Sequence, residues 1–272
     1  MFIAISGTFH VSGYAADGDG LRFKARNVAI WGKLAGYPVQ LNGQGQARLR
    51  LEGIDTLEMN LEGGQQPLKY AREALDLLLS RLGIRGNLFG PSHAREGAGG
   101  YILARRVEKH GAPVAFVFAG GPVWPDGAEG LLDTALLKKS GNYQLIAAGL
   151  AYPTYYAGLL PELREELTRA CREARNKQQG FWPLDRTNSG VAMDGPEALA
   201  KNIIFPKLWR RLARFLKENG DLGGFKEYLE LHPDPVTYLP TGRCGNLAEF
   251  VQVQDMSVKL TAAPEDLVFA EN

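Results

Sequence analysis

Apolar and polar residues alternate near the start of the chain. Phe9 and Val11 share one face and His10 and Ser12 the other; beyond the Asp17-Gly18-Asp19-Gly20 turn, Leu21 and Phe23 again fall together. This predicts a hairpin, since Asp-Gly supplies the positive φ that a tight turn needs. Residues 47–53 (ARLRLEG) predict another strand, with Leu49 and Leu51 on one face and Arg48, Arg50 and Glu52 on the other. The period then lengthens. Leu68, Ala71, Leu75, Leu78, Leu79 and Leu82 recur at three- and four-residue steps, which predicts a helix over 67–82 stopped by Gly83. Two strands follow over 101–107 and 113–119, joined by Lys109-His110-Gly111-Ala112. After a loop and a short helical turn, helices are expected over 142–151 and 162–178, the second with Leu163, Leu167, Cys171 and Ala174 as its buried stripe. Residues 184–200 turn polar and contain Gly190, Gly195 and Pro196, the signature of a linker. Helices over 206–218 and 225–231 and short strands from Val236 complete the pattern.

Composition narrows the class. With 31 Lys+Arg against 30 Asp+Glu the net charge is +1, which excludes a strongly basic coat protein but leaves room for a local basic groove. No basic, apolar leader opens the chain, and no run approaches the ~18 apolar residues of a membrane span. A cytoplasmic protein without a transmembrane segment is the expectation. Cys171 and Cys244 form neither a disulfide framework nor a zinc spacing.

The candidate chemistry lies in carboxylates. Asp19 sits in the turn, and Arg50, Asp55 and Glu58 surround the end of the strand. Calcium prefers oxygen ligands, a further carboxylate can serve as general base on a water, and a guanidinium can neutralise phosphate oxygens. The plainer alternative is a hairpin turn and solvated loop acids. Arg50 and Asp55 stand five positions apart, on opposite faces of a regular strand, unless a bulge or strand end at Gly53 re-aims Asp55.

Asp17-Gly18-Asp19 followed by Arg50-Leu51-Glu52-Gly53-Ile54-Asp55-Thr56-Leu57-Glu58 resembles the DGDT turn and the R-L-x-G-I-D-x-P-E segment of the staphylococcal nuclease (thermonuclease) family. Asn142 to Ala151 resembles that family's asparagine-led helix ending in G-L-A, and Gly180-Phe181-Trp182 its Trp-terminated end. The matches keep their order over residues 8–182. The resemblance implies an α+β fold, an OB-type β-barrel with three helices, and a calcium-dependent endonuclease that cuts DNA and RNA to 3′-phosphate ends. Carried over, Asp19 and Asp55 are metal carboxylates, Thr56 gives the metal-binding backbone carbonyl, Glu58 is the general base and Arg50 the first phosphate-binding arginine. The expected organisation is a nuclease-like domain over 1–183, a linker over 184–200 and a C-terminal α/β accessory unit over 201–272.

Three departures bear on activity. Gly20 stands for Thr and Leu57 for Pro, changes of loop stiffness. The family's second catalytic arginine, in a Y-G-R stretch, falls on Ala112, or on Tyr101 in a rival alignment. Losing one preorganised donor costs on the order of 10²–10³ in rate, so a slow nuclease is expected. The alternative is a non-catalytic nucleic-acid-binding module on the same barrel, and a protein-interaction scaffold would predict no calcium binding at all. Arg95, Arg105 and Arg106 lie in the stretch that lacks the arginine, with Arg105 taken as a nucleic-acid contact and His110 as a phosphate contact. Tyr155, with Tyr152 and Tyr156, is placed for stacking on a base, or for packing. Six cations and no acid lie between 201 and 217, which suits a phosphate-tracking helix, an anionic membrane surface, or a docked helix with a solvated basic face.

Overall fold

The computed structural model describes residues 1–11, 21–61, 63–84, 97–193 and 197–271. The Asp17–Gly20 turn, including Asp19, lies outside them, as does Arg95. The protein is a mixed α+β molecule with a barrel-like sheet and several helices. Its contacts divide into two compact units, neither of them continuous: 1–52 with 74–145, and 53–73 with 146–271. No helix among the described residues is long and apolar enough to cross a membrane.

The first unit is built on the strand Phe2–His10, which pairs antiparallel with Arg22–Ala25 on one side and Ala98–Val107 on the other. Phe9 opposes Phe23, as the alternation requires. The strand begins at Phe2 because Phe2 to Ile5 are all buried, and a strand buried on both faces shows no alternation. Gly7 and Gly100 are register partners. A Cβ at Gly100 would lie 2.4 Å from the Phe118 carbonyl oxygen and 2.5 Å from the Phe9 ring, so the aromatic core closes over bare backbone.

Residues 47–51 carry both edges of this sheet. Ala47–Arg48 pairs with Arg22–Ala25, Leu49 N–H donates to Leu21 O at 2.7 Å, and Arg50–Leu51 runs parallel to Pro113–Ala119. One segment thereby meets both the first and last strands of the sheet, which gives it its barrel-like form. Leu49 and Leu51 face inward as expected, but Glu52, expected outside, is buried. Where the parallel pairing ends, Asn142 takes the place of a partner strand. Its side-chain oxygen accepts from Val117 N–H at 3.1 Å, and its amide nitrogen donates to Glu52 O at 2.9 Å and Ala115 O at 3.1 Å.

The second unit packs the helices Pro161–Asn176 and Pro206–Asn219 with small sheets. Leu163, Leu167, Cys171 and Ala174 are buried, as their spacing predicts. Tyr152, Phe181, Trp182 and Phe205 form an aromatic cluster, with Tyr152 and Phe181 stacked at 4.6 Å. The described part of 184–200 is built into this unit rather than strung between domains. Asp185 accepts from the Tyr152 hydroxyl at 2.6 Å, and buried Thr187 accepts from Phe205 N–H at 2.9 Å. Polar residues make the stretch read as a linker; the side chains of Asp185 and Thr187 instead take buried partners, Tyr152 and Phe205.

Candidate active site

Gly53 sets the direction of the acids. Its φ of +80° breaks the strand after Leu51, and a Cβ there would lie 2.8 Å from Leu167. The chain resumes as Ile54–Asp55, paired antiparallel with Tyr152–Pro153, so that Asp55 opposes Tyr152. The strand end at Gly53 removes the constraint of a regular strand on Asp55.

Glu58 follows in a loop fixed at two places. Buried Gln66 accepts from Glu58 N–H at 3.1 Å through its side chain and donates from its backbone to Glu58 O at 2.8 Å. The Gln66 amide also donates to Ile204 O at 2.8 Å, which ties the loop to the residues just ahead of Pro206–Asn219. Trp209 lies against Gly64 in the same loop and donates its indole N–H to Leu199 O at 3.1 Å.

These anchors bring one further residue to the acids. Arg210 donates from one terminal nitrogen to Asp55 Oδ2 at 2.7 Å and from the other to Glu58 Oε1 at 2.6 Å. The Asp55 side chain is 3% exposed, that of Glu58 13% and that of Arg210 25%. Burial alone would lower the guanidinium's pKa, but Asp55, then Glu58, outweigh it and raise the pKa above its ordinary value. Both carboxylates are thus engaged by one guanidinium, and the buried Thr56 hydroxyl has no hydrogen-bond partner among the described residues.

Three charges of the basic helix point inward rather than tracking an outer surface. Lys207 lies 3.0 Å from Asp234 Oδ1, Arg211 donates to Asp234 Oδ2 at 2.8 Å from Nε, and Arg210 holds the acid pair. Sequence reasoning counted Arg210 among these cations but gave it no partner. The signal was the absence of any acid between 201 and 217: buried cations must find acids elsewhere in the fold.

The other expected residues lie in other elements. Arg50 lies half-buried in the strand Arg50–Leu51, opposite Val114. Arg105 sits at an irregularity in its strand pairing, with its guanidinium carbon 5.8 Å from the Phe2 ring centroid. His110 is exposed in the turn before Ala112, and the Ala112 N–H is taken by the Glu108 side chain at 3.1 Å. Tyr101, the rival to Ala112, is buried and stacks on Phe118 at 4.8 Å. Tyr155 is fully buried, with its hydroxyl 2.9 Å from Thr168 Oγ1 and donating to Arg164 O at 3.2 Å. Of its two expected roles, stacking and packing, packing is the one its environment provides: the ring has no open face. Asp19 lies outside the described residues. Among the described residues no three His, Cys, Asp or Glu side chains gather as a metal site.

No family model matches the chain, and no curated protein matches it.

Proposed function

We propose that the chain is a calcium-dependent phosphodiester hydrolase that cuts DNA or RNA to 3′-phosphate ends, on an OB-type barrel. The observation that carries this reading is the convergence of Asp55 and Glu58 on one cation. A groove that only binds phosphate gains nothing from two neighbouring acids, since each repels the ligand. In this reading Asp19, Asp55 and the Thr56 carbonyl hold the ion. Bound there, calcium would place positive charge beside the phosphate and make a shell water more acidic.

The chain's own groups carry the proton. Glu58 takes it from the attacking water as the water oxygen bonds to phosphorus; the bond from phosphorus to the 5′ oxygen breaks, and that oxygen receives the proton. Arg50 donates N–H groups to a phosphate oxygen. With Ala112 where a second arginine is expected, turnover is slow, by on the order of 10²–10³. The test is calcium-dependent nicking of plasmid DNA and of RNA by the purified chain, with Glu58→Gln as control. Cleavage in the wild type that Glu58→Gln removes supports the assignment, and equal cleavage in both refutes it. Ala112 favours a second reading, a nucleic-acid-binding module without turnover. That reading expects the wild type to retain nucleic acid in a gel-shift assay and cut none.

A further inference from the structure

We propose that the irregularity in the strand Ala98–Val107 builds a phosphate-binding site on Arg105. Ala104 pairs with Ala115 and Arg106 with Val114, so Arg105 is an extra residue with no partner across that pair of strands. Register partners share a face of a sheet, and neighbours along a strand take opposite faces. Arg106 therefore lies on the face of Val114, and Ala104 on the other. Phe2 belongs to the Val114 face too: its neighbour Ile3 is the partner of Ala104, and its ring meets that of Phe116 edge-on at 5.8 Å. The Arg105 guanidinium carbon lies 5.8 Å from the Phe2 ring centroid, which puts Arg105 on that face as well. The bulge thus turns two successive arginines to one side. Arg50 pairs with Val114 from the opposite edge and shares the face. Strands about 4.8 Å apart put the Cα atoms of Arg50 and Arg106 about 10 Å apart, within the span of two arginine side chains.

One edge of Arg105 awaits a ligand. Its Nε and Nη2 are both buried and have no hydrogen-bond partner among the described residues. These two N–H groups lie side by side on the planar guanidinium, and together they form the fork that takes two oxygens of an oxyanion in parallel bonds. A covered N–H without an acceptor is destabilising, and an anion on that edge relieves it. Arg50 and Arg106 have interactions of their own, and their part is positive charge. Three guanidiniums around Val114 favour the more highly charged oxyanion, phosphate, over a carboxylate. Arg105 as a whole is half-buried, so it stands at the margin of the cover. A turn about its terminal bonds brings the donor edge outward to the ligand. None of this depends on the chemistry of Asp55 and Glu58.

Calorimetry of the full chain with sodium phosphate, against sodium acetate at equal ionic strength, tests this apart from any cleavage. Arg105→Met is expected to weaken phosphate binding about tenfold to a hundredfold, and Arg105→Lys about tenfold, since lysine keeps the charge and loses the fork. Arg26→Gln, which removes an exposed charge elsewhere in the same unit, is expected to change it by less than about threefold. No phosphate binding by the wild type, equal binding of acetate, or equal losses in Arg105→Met and Arg26→Gln overturns the site. In phosphate-free buffer Arg105→Met should unfold at the wild-type temperature or above, because it removes donors that lack acceptors. A lower midpoint means that Arg105 already has its partner within the fold, and overturns the site. Should Arg105→Met fail to fold, NMR of the wild type decides: phosphate should shift the Arg105 Nε–H signal, and a signal that does not move refutes the proposal. A short DNA single strand without terminal phosphate identifies the source. Displacement of bound phosphate by the strand makes the nucleic-acid backbone the ligand, and retention makes it free phosphate. Lost phosphate binding in Arg105→Met with calcium-dependent nicking unchanged keeps both the site and the hydrolase. Nicking by a wild type that binds no phosphate removes the site alone, and phosphate binding without nicking removes the hydrolase alone.

Discussion

Replacing Asn142 by Ala removes a side chain that stands in for a missing strand. Three hydrogen bonds are lost, but the three partners do not suffer equally. Ala115 O also accepts from Glu52 N–H at 2.9 Å and keeps that bond. Val117 N–H and Glu52 O lose the bonds that Asn142 makes to them, at 3.1 and 2.9 Å. A buried backbone group left without its partner costs about 1–3 kcal/mol, so two such groups place the loss at about 2–6 kcal/mol. Urea unfolding reads it as a fall in midpoint at unchanged slope, and the Val117 amide should lose hydrogen-exchange protection. Asn142→Asp sharpens the test. The introduced carboxylate still accepts from Val117 N–H but turns an oxygen toward two carbonyls, so this variant should be weaker than Asn142→Ala at neutral pH and recover in acid, as protonation restores a donor. A loss under about 1 kcal/mol for Asn142→Ala, with Val117 still protected, would refute the account.

Two further outcomes follow from buried polar groups. Asp234→Asn keeps the shape but removes the negative charge that Lys207 and Arg211 share. It should cost about 2–4 kcal/mol in urea unfolding, and adding Lys207→Met should recover part of it. Burial pushes the Tyr152 and Tyr155 hydroxyls well above pH 10. An acid whose pKa is raised by folding contributes stability that is complete below its unfolded value near 10 and is lost as pH rises beyond it. Phenolate absorbance of the native protein should therefore account for no more than eight of the ten tyrosines until the chain unfolds, and a full native titration would contradict their burial.

Periodic signals carried most of the elements. The helices Leu68–Arg81, Pro161–Asn176 and Pro206–Asn219 lie within two residues of where their apolar spacing puts them, because each buries one face. Phe9 and Phe23 pair for the same reason at period two. The opening residues of the first strand escaped because they are buried on both faces, and Glu52 because the regular alternation ends at Gly53. Of the candidate site, Asp55 and Glu58 were legible as a motif, and Gly53 as the place where the strand turns. Arg210 was not. It meets Glu58 across 152 positions and Asp55 across 155, and no local period records such a pairing. Tyr155 shows the converse: a tyrosine beside a site reads the same whether it is exposed or enclosed.

The same long separation has a consequence for synthesis. A ribosome delivers the acid loop far ahead of the helix that carries its guanidinium, so the nascent chain holds Asp55 and Glu58 before Arg210 is available for most of translation. The half of the molecule that contains them cannot close until residues beyond 206 have left the exit tunnel. Its folding is for that reason a late event, and any divalent ion in the surrounding fluid reaches the two aspartyl and glutamyl groups before their own arginine does.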